Sequence, residues 1–146
     1  MSQALTTARP GYLVKRAQQA LRQACDEGLR PAGISMAQYA VLRALADHPG
    51  ASSAELARQC FVTRQSLRDV LGGLRAAGLV AVAEKATTGR VRPVTLTRAG
   101  TAQLENAEQV VFEAEERMLT GLSPAERRQL AALLGRCAEN LGAPSR

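Results

Sequence analysis

Between Ser35 and Leu96 the chain switches hydrophobic period at fixed punctuation, and few folds accommodate the resulting order of elements. Ser35 stands where it can cap a helix in which Tyr39, Leu42 and Ala46 share one face, and that helix ends before His48, Pro49 and Gly50. Ser52 or Ser53 caps a short helix containing Leu56, with Glu55 in the first turn, where the positive end of the helix dipole favours an acid. Thr63 caps the next helix, which reaches Ala77 and is closed by Gly78. The period then falls to two. Residues 79–83 are short and β-branched, residues 86–92 are turn-forming, and residues 94–96 alternate again, so two strands flank a loop. Two helices, a capped third and a hairpin describe a winged helix-turn-helix.

Helices flank this unit on both sides. Residues 11–28 place Leu13, Ala17, Leu21 and Ala24 on one face, with Lys15, Arg16 and Arg22 on another. Beyond Thr97, which caps a long fifth helix, Leu104, Ala107, Val111, Ala114 and Met118 recur at spacings of three and four, the seam of a helix packed along another. Ser123, Pro124 and Glu126 open a sixth helix whose Leu130, Leu134, Cys137 and Leu141 form a second seam. The predicted class is therefore mainly α with a small β-hairpin wing. A chain of 146 residues fits one domain, or a subunit that completes its core by pairing. No apolar run approaches the ~18 residues of a membrane span, residues 1–10 lack the pattern of a secretory or transit signal, and three cysteines far apart in sequence suit a reducing compartment, so a cytoplasmic protein is expected.

Charge is unevenly spread. Residues 51–100 hold eight Lys or Arg against three acids, net +5, whereas residues 101–120 hold five Glu against Arg117, net −4. A positive field confined to the middle third is the footprint of a polyanion binder. Aromatics make up only 3% of the chain and Trp is absent, which argues against the stacking platforms of single-strand and RNA binders and leaves a duplex as the partner. On the fourth helix Leu67, Val70, Leu71 and Leu74 form the core stripe, while Thr63, Arg64, Gln65, Ser66, Arg68 and Asp69 are its polar positions. In a major groove, Arg64 or Arg68 can donate two hydrogen bonds to guanine and Gln65 can pair with adenine. Thr63 and Ser66 can meet phosphate or base. In the hairpin, Lys85, Arg90 and Arg92 supply phosphate contacts together with Arg98, and Arg90 can alternatively enter a narrow minor groove.

Other chemistries lack their residues. The chain has one histidine, no GxSxG elbow, no Gly-rich phosphate loop before a lysine, and glutamates on the fifth helix that read as solvated, so no enzyme and no cofactor are expected. His48 lacks nearby ligands, and no metal is expected. Cys25, Cys60 and Cys137 fit neither a disulfide framework nor a zinc site. Cys60 and Cys137 fall on apolar stripes and read as core, leaving Cys25 the least committed of the three.

The segments GYLVKRAQQALRQA, ISMAQYAVLRAL, SSAELARQCFVTRQSLRDVLGGLRAAGLV, VRPVTLTRAG and LSPAERRQLAALLGRC, in this order, resemble the MarR family of bacterial transcriptional regulators over nearly the whole chain. The resemblance implies a homodimer entwined through its first, fifth and sixth helices. It also implies two winged lobes on a pseudo-palindromic site, repression, and release by a small aromatic or phenolic effector, an oxidant or a metal. The expected division is residues 1–34 as arm and dimerisation helix, 35–97 as DNA-binding lobe, and 98–146 as dimerisation helices. The same resemblance puts Tyr39 at the ligand-binding crevice, with Arg16 on the first helix as the partner of a ligand carboxylate; the other reading of Tyr39 is a packed side chain with its hydroxyl satisfied. Three departures stand out. Thr88 occupies the place of the aspartate that usually braces the wing arginine, here Arg90; Arg68-Asp69 replaces the usual Ser-Arg; and Phe61 replaces a turn glycine, which predicts an altered turn. Two other readings stay open: a winged-helix module that binds an acidic protein, and a DNA-binding regulator with no effector.

Overall fold

A computed structural model describes residues 6–83 and 93–143. The helices are α1 (Pro10–Leu29), α2 (Met36–Asp47), α3 (Ser53–Gln59), α4 (Arg64–Ala76), α5 (Arg98–Met118) and α6 (Pro124–Asn140), and strands β1 (Val80–Val82) and β2 (Val94–Leu96) lie between α4 and α5. Leu79 and Ala83 stand outside β1, which is one residue shorter at each end than the strand expected from sequence.

The starts of these helices are local chemistry. Ser35, Ser52 and Ser123 each accept from the backbone three residues on and receive a returning side chain, from Gln38, Glu55 and Glu126, in three capping boxes. Ser52, rather than Ser53, is the cap of α3. The stops are equally local. After α4, Gly78 takes φ +76° while Leu79 N–H reaches Leu74 O at 2.9 Å and Gly78 N–H reaches Arg75 O at 3.0 Å. After α3 the same pair of bonds runs from Val62 to Ala57 and from Phe61 to Arg58. Phe61 there adopts φ +57°. The turn expected to differ in the absence of glycine thus keeps the left-handed closure that glycine would take, because stopping α3 requires that conformation.

The chain divides within α5 into two compact units, Met1–Ala114 and Glu115–Arg146. In the first unit Leu42, Val41, Leu45, Leu56, Leu67, Leu74, Val80 and Leu104 bury one core that joins α2, α3, α4, β1 and α5. A smaller cluster of Cys25, Val111 and Ala114 fastens the last turns of α1 to α5. β1 and β2 pair antiparallel, with Val80 opposite Leu96 and Val82 opposite Val94. Thr97 anchors the start of α5 by donating to Gly78 O at 2.6 Å and accepting from Gly100 N–H at 3.0 Å. In the second unit α6 buries none of its residues; Arg127 pairs with Glu116 at 3.0 Å. Among the described residues no helix is long and apolar enough to cross a membrane.

One cysteine expectation is reversed, and the position of Cys25, left open by the sequence, is decided. Cys25 is fully buried, because the last turns of α1 are the part that meets α5. Cys137, read as core, is exposed, as are Leu134 and Leu141 on the same stripe. Cys60 is half-buried, its thiol 3.6 Å from Ala40 O. The stripe of α5 also divides: Leu104, Ala107, Val111 and Ala114 are buried inside the chain, whereas Met118 is exposed.

Candidate nucleic-acid interface

The separation of faces on α4 decides what the helix can touch. Leu67 and Leu74 are buried and Val70 and Leu71 half-buried, so rotation of the helix is set by the core. Arg64, Gln65, Ser66, Arg68 and Asp69 are all left exposed. Thr63 starts the helix: its hydroxyl oxygen accepts from Ser66 N–H at 3.0 Å, and its hydroxyl lies 3.1 Å from Ser66 Oγ. The first turn therefore leaves further N–H groups and a positive dipole end facing outward, alongside two guanidinium groups. Among the described residues the ion pairs involve Arg43 and Arg127, so neither Arg64 nor Arg68 is neutralised by a carboxylate. Gln65 is engaged by a neighbour one turn on, donating from Nε2 to Asp69 Oδ1 at 3.1 Å. An outward cationic face on a helix rotationally fixed by a core is what base-edge recognition requires.

The wing is framed by the paired ends of β1 and β2, where Ala83 N–H donates to Pro93 O at 3.0 Å. Lys85, Arg90 and Arg92 lie outside the described residues. Arg98, at the start of α5, is exposed.

The proposed ligand positions do not meet within the described chain. Arg16 is exposed on the outer part of α1, nine residues before Cys25, which is about 13 Å along a helix. Tyr39 is half-buried against the cluster around Cys25 and donates its hydroxyl to Glu108 Oε1 at 2.9 Å. Arg43 donates to the same oxygen at 2.8 Å and also pairs with Asp47. The guanidinium is thereby held even more strongly protonated than usual, through the hydrogen bonds it donates to Asp47 and then to Glu108. Glu108 is therefore not one of a row of solvated glutamates, as its sequence context suggests. It ties α5 to α2 across 65 and 69 residues of chain. Sequence reasoning missed Arg43 and Glu108. The Arg43–Asp47 spacing of four was a readable signal, whereas the link to Glu108 depends on how α2 and α5 cross. An open groove beside these helices is lined by Asp26, Arg30, Ile34, Ser35 and Gln38 and includes neither Arg16 nor Tyr39.

Comparison with known proteins bears on this face directly. A model described as the MarR family matches residues 32–90. The HTH-type transcriptional repressor Rv2887 of Mycobacterium tuberculosis is 40% identical over 124 residues, spanning 85% of this chain and 89% of that protein. The crystal structure of that MarR family protein in complex with DNA superposes with a TM-score of 0.73 at 38% identity, covering 92% of this chain and 98% of the other. Its complex with salicylic acid gives a TM-score of 0.74 at 39% identity, covering 92% and 97%.

Proposed function

Because the chain belongs to the MarR family, we infer that it is a homodimeric transcriptional repressor that binds double-stranded DNA and is released by a small aromatic effector. The observation that carries this reading is the exposed, unneutralised polar face of α4, held in one rotation by Leu67 and Leu74. Arg64, Gln65 and Arg68 are assigned to base edges, with Thr63 and Ser66 beside them at phosphate or base. Lys85, Arg90, Arg92 and Arg98 are assigned to phosphates, so that affinity and specificity are separable. Residues 35–97 form the DNA-binding lobe, and residues 1–34 and 98–146 bring two lobes to the half-sites of a pseudo-palindromic operator.

The relative bound to salicylic acid supports an effector that is both aromatic and anionic. Tyr39 and Arg16 are assigned to it. Such a carboxylate would compete with Glu108 for the Tyr39 hydroxyl and for Arg43. That exchange would couple ligand to the position of α2, since an effector acts only by differential affinity for two conformations.

Titration against the DNA upstream of its own gene and against random duplex of equal length, at two salt concentrations, tests the reading. Preferential binding to the upstream duplex that weakens with salt is expected. No binding at low salt would overturn it in favour of an acidic protein partner. Arg64→Ala should lose about 1 to 3 kcal/mol on the preferred site and much less on random DNA; equal losses on both would remove Arg64 from base reading.

A further inference from the structure

Asp69 is a carboxylate on a face otherwise built to approach phosphates. It is exposed, and it lies one helical turn beyond Gln65, in the part of α4 assigned above to the major groove. An acid there opposes the electrostatic attraction on which duplex affinity rests. It does not serve an ion pair with Arg64 or Arg68, since the ion pairs among the described residues lie elsewhere. Its partner is Gln65, whose Nε2 donates to Asp69 Oδ1 at 3.1 Å. A Gln and Asp four residues apart on an exposed helix stabilise it only slightly, so helix stability is a weak reason for the pair.

The consequence for recognition is larger. A glutamine carboxamide offers one acceptor and two N–H donors, and a free side chain can present them in either order by turning over its terminal torsion. A carboxylate accepts and cannot donate, so Asp69 can hold only the nitrogen end. With one N–H engaged, Oε1 and the second N–H remain for DNA. That is the set needed by adenine, whose major-groove edge shows an N6 donor beside an N7 acceptor.

We propose that Asp69 is a positioning residue for sequence reading, which orients the Gln65 carboxamide toward adenine in the major groove at the expense of general phosphate affinity. The proposal rests on the DNA-binding reading above and adds to it a residue that touches DNA only through its neighbour.

The test starts from duplexes randomised over about 20 base pairs, two helical turns, from which the full-length wild-type protein selects a site. Affinities of wild type, Gln65→Ala, Asp69→Ala and Asp69→Asn are then measured on that site, on each single base-pair variant and on random duplex, with folding checked by circular dichroism. Gln65→Ala should flatten the preference for adenine at one position in each half-site. Asp69→Ala should weaken preference at the same position by about two- to fivefold, while binding random duplex as well as or better than wild type. Asp69→Asn, whose amide can hold either end of the glutamine, should relax the preference in part at the same position, since the fixed orientation depends on a partner that cannot donate. If Asp69→Ala and Asp69→Asn both raise affinity uniformly with unchanged base preferences, Asp69 acts through charge alone and the proposal falls. A wild-type protein that selects no site would overturn the DNA-reading assignment and this one with it.

Discussion

Phe61 and Gly78 occupy the same place in the same motif, and only one of them suits it. Both close a helix with a left-handed backbone, at φ +57° and +76°, and a side chain at such an angle costs about 1 kcal/mol or more relative to glycine. Phe61 recovers little of this by packing, being 86% exposed. Phe61→Gly is expected to raise stability by up to about 1 kcal/mol, read as a higher urea midpoint with an unchanged slope. A lower midpoint would show that the ring makes a stabilising contact. Gly100 presents the opposite case. A Cβ built there would stand 1.9 Å from the carbonyl oxygen of Leu79, which is backbone and cannot swing aside. Gly100→Ala should therefore destabilise by about 3 kcal/mol, near the upper end of overpacking effects, by prying the start of α5 from the segment that leads from α4 into β1. A thermal melt indistinguishable from wild type would refute that close approach.

At the scale of the element, α6 depends on its cap more than on burial, since none of its residues is buried within the chain. Ser123 N–H donates to Glu126 Oε1 at 2.9 Å and Glu126 N–H donates to Ser123 Oγ at 3.1 Å. The backbone hydrogen bond from Ser123, followed by that of its side chain, holds the Glu126 carboxyl below its ordinary value of 4.5. A carboxyl depressed in the folded state adds stability that is fully present above its unfolded pKa and is lost as pH falls through the folded one. Wild type should thus melt higher than Glu126→Gln at neutral pH and converge with it in acid below the usual carboxylate range; a difference that persists unchanged to low pH would exclude the charge as its source. The capping boxes of α2, α3 and α6 and the glycine stop of α4 were all readable in the sequence, because each is completed within six residues. Which stripe finds its partner inside the chain was not readable. The stripes of α5 and α6 have the same spacing, yet Leu104, Ala107, Val111 and Ala114 are buried and the stripe of α6 is not.

At the scale of the whole molecule, that uncovered stripe is where a second subunit would act. Leu134 is 46% exposed and Leu141 is 91% exposed, so neither holds its own chain together. Leu134→Asp should weaken dimerisation by about 2 kcal/mol or more, giving monomers in sedimentation while helicity is retained. A fully dimeric variant would remove Leu134 from the interface. DNA affinity should fall with dimerisation, because two half-sites are then no longer bound by one linked pair of lobes.

By itself, the sequence determined what short-range physics controls. Caps, stops and hydrophobic period placed the helices and the hairpin, and the polar positions of α4 followed from the spacing of Leu67, Val70, Leu71 and Leu74. Tertiary structure alone decided the rest. The burial of Cys25, the exposure of Cys137 and the convergence of Tyr39 and Arg43 on Glu108 depend on how helices distant in sequence cross. Period and capping carry no information on which faces meet, since any apolar stripe can be covered by any other of similar width.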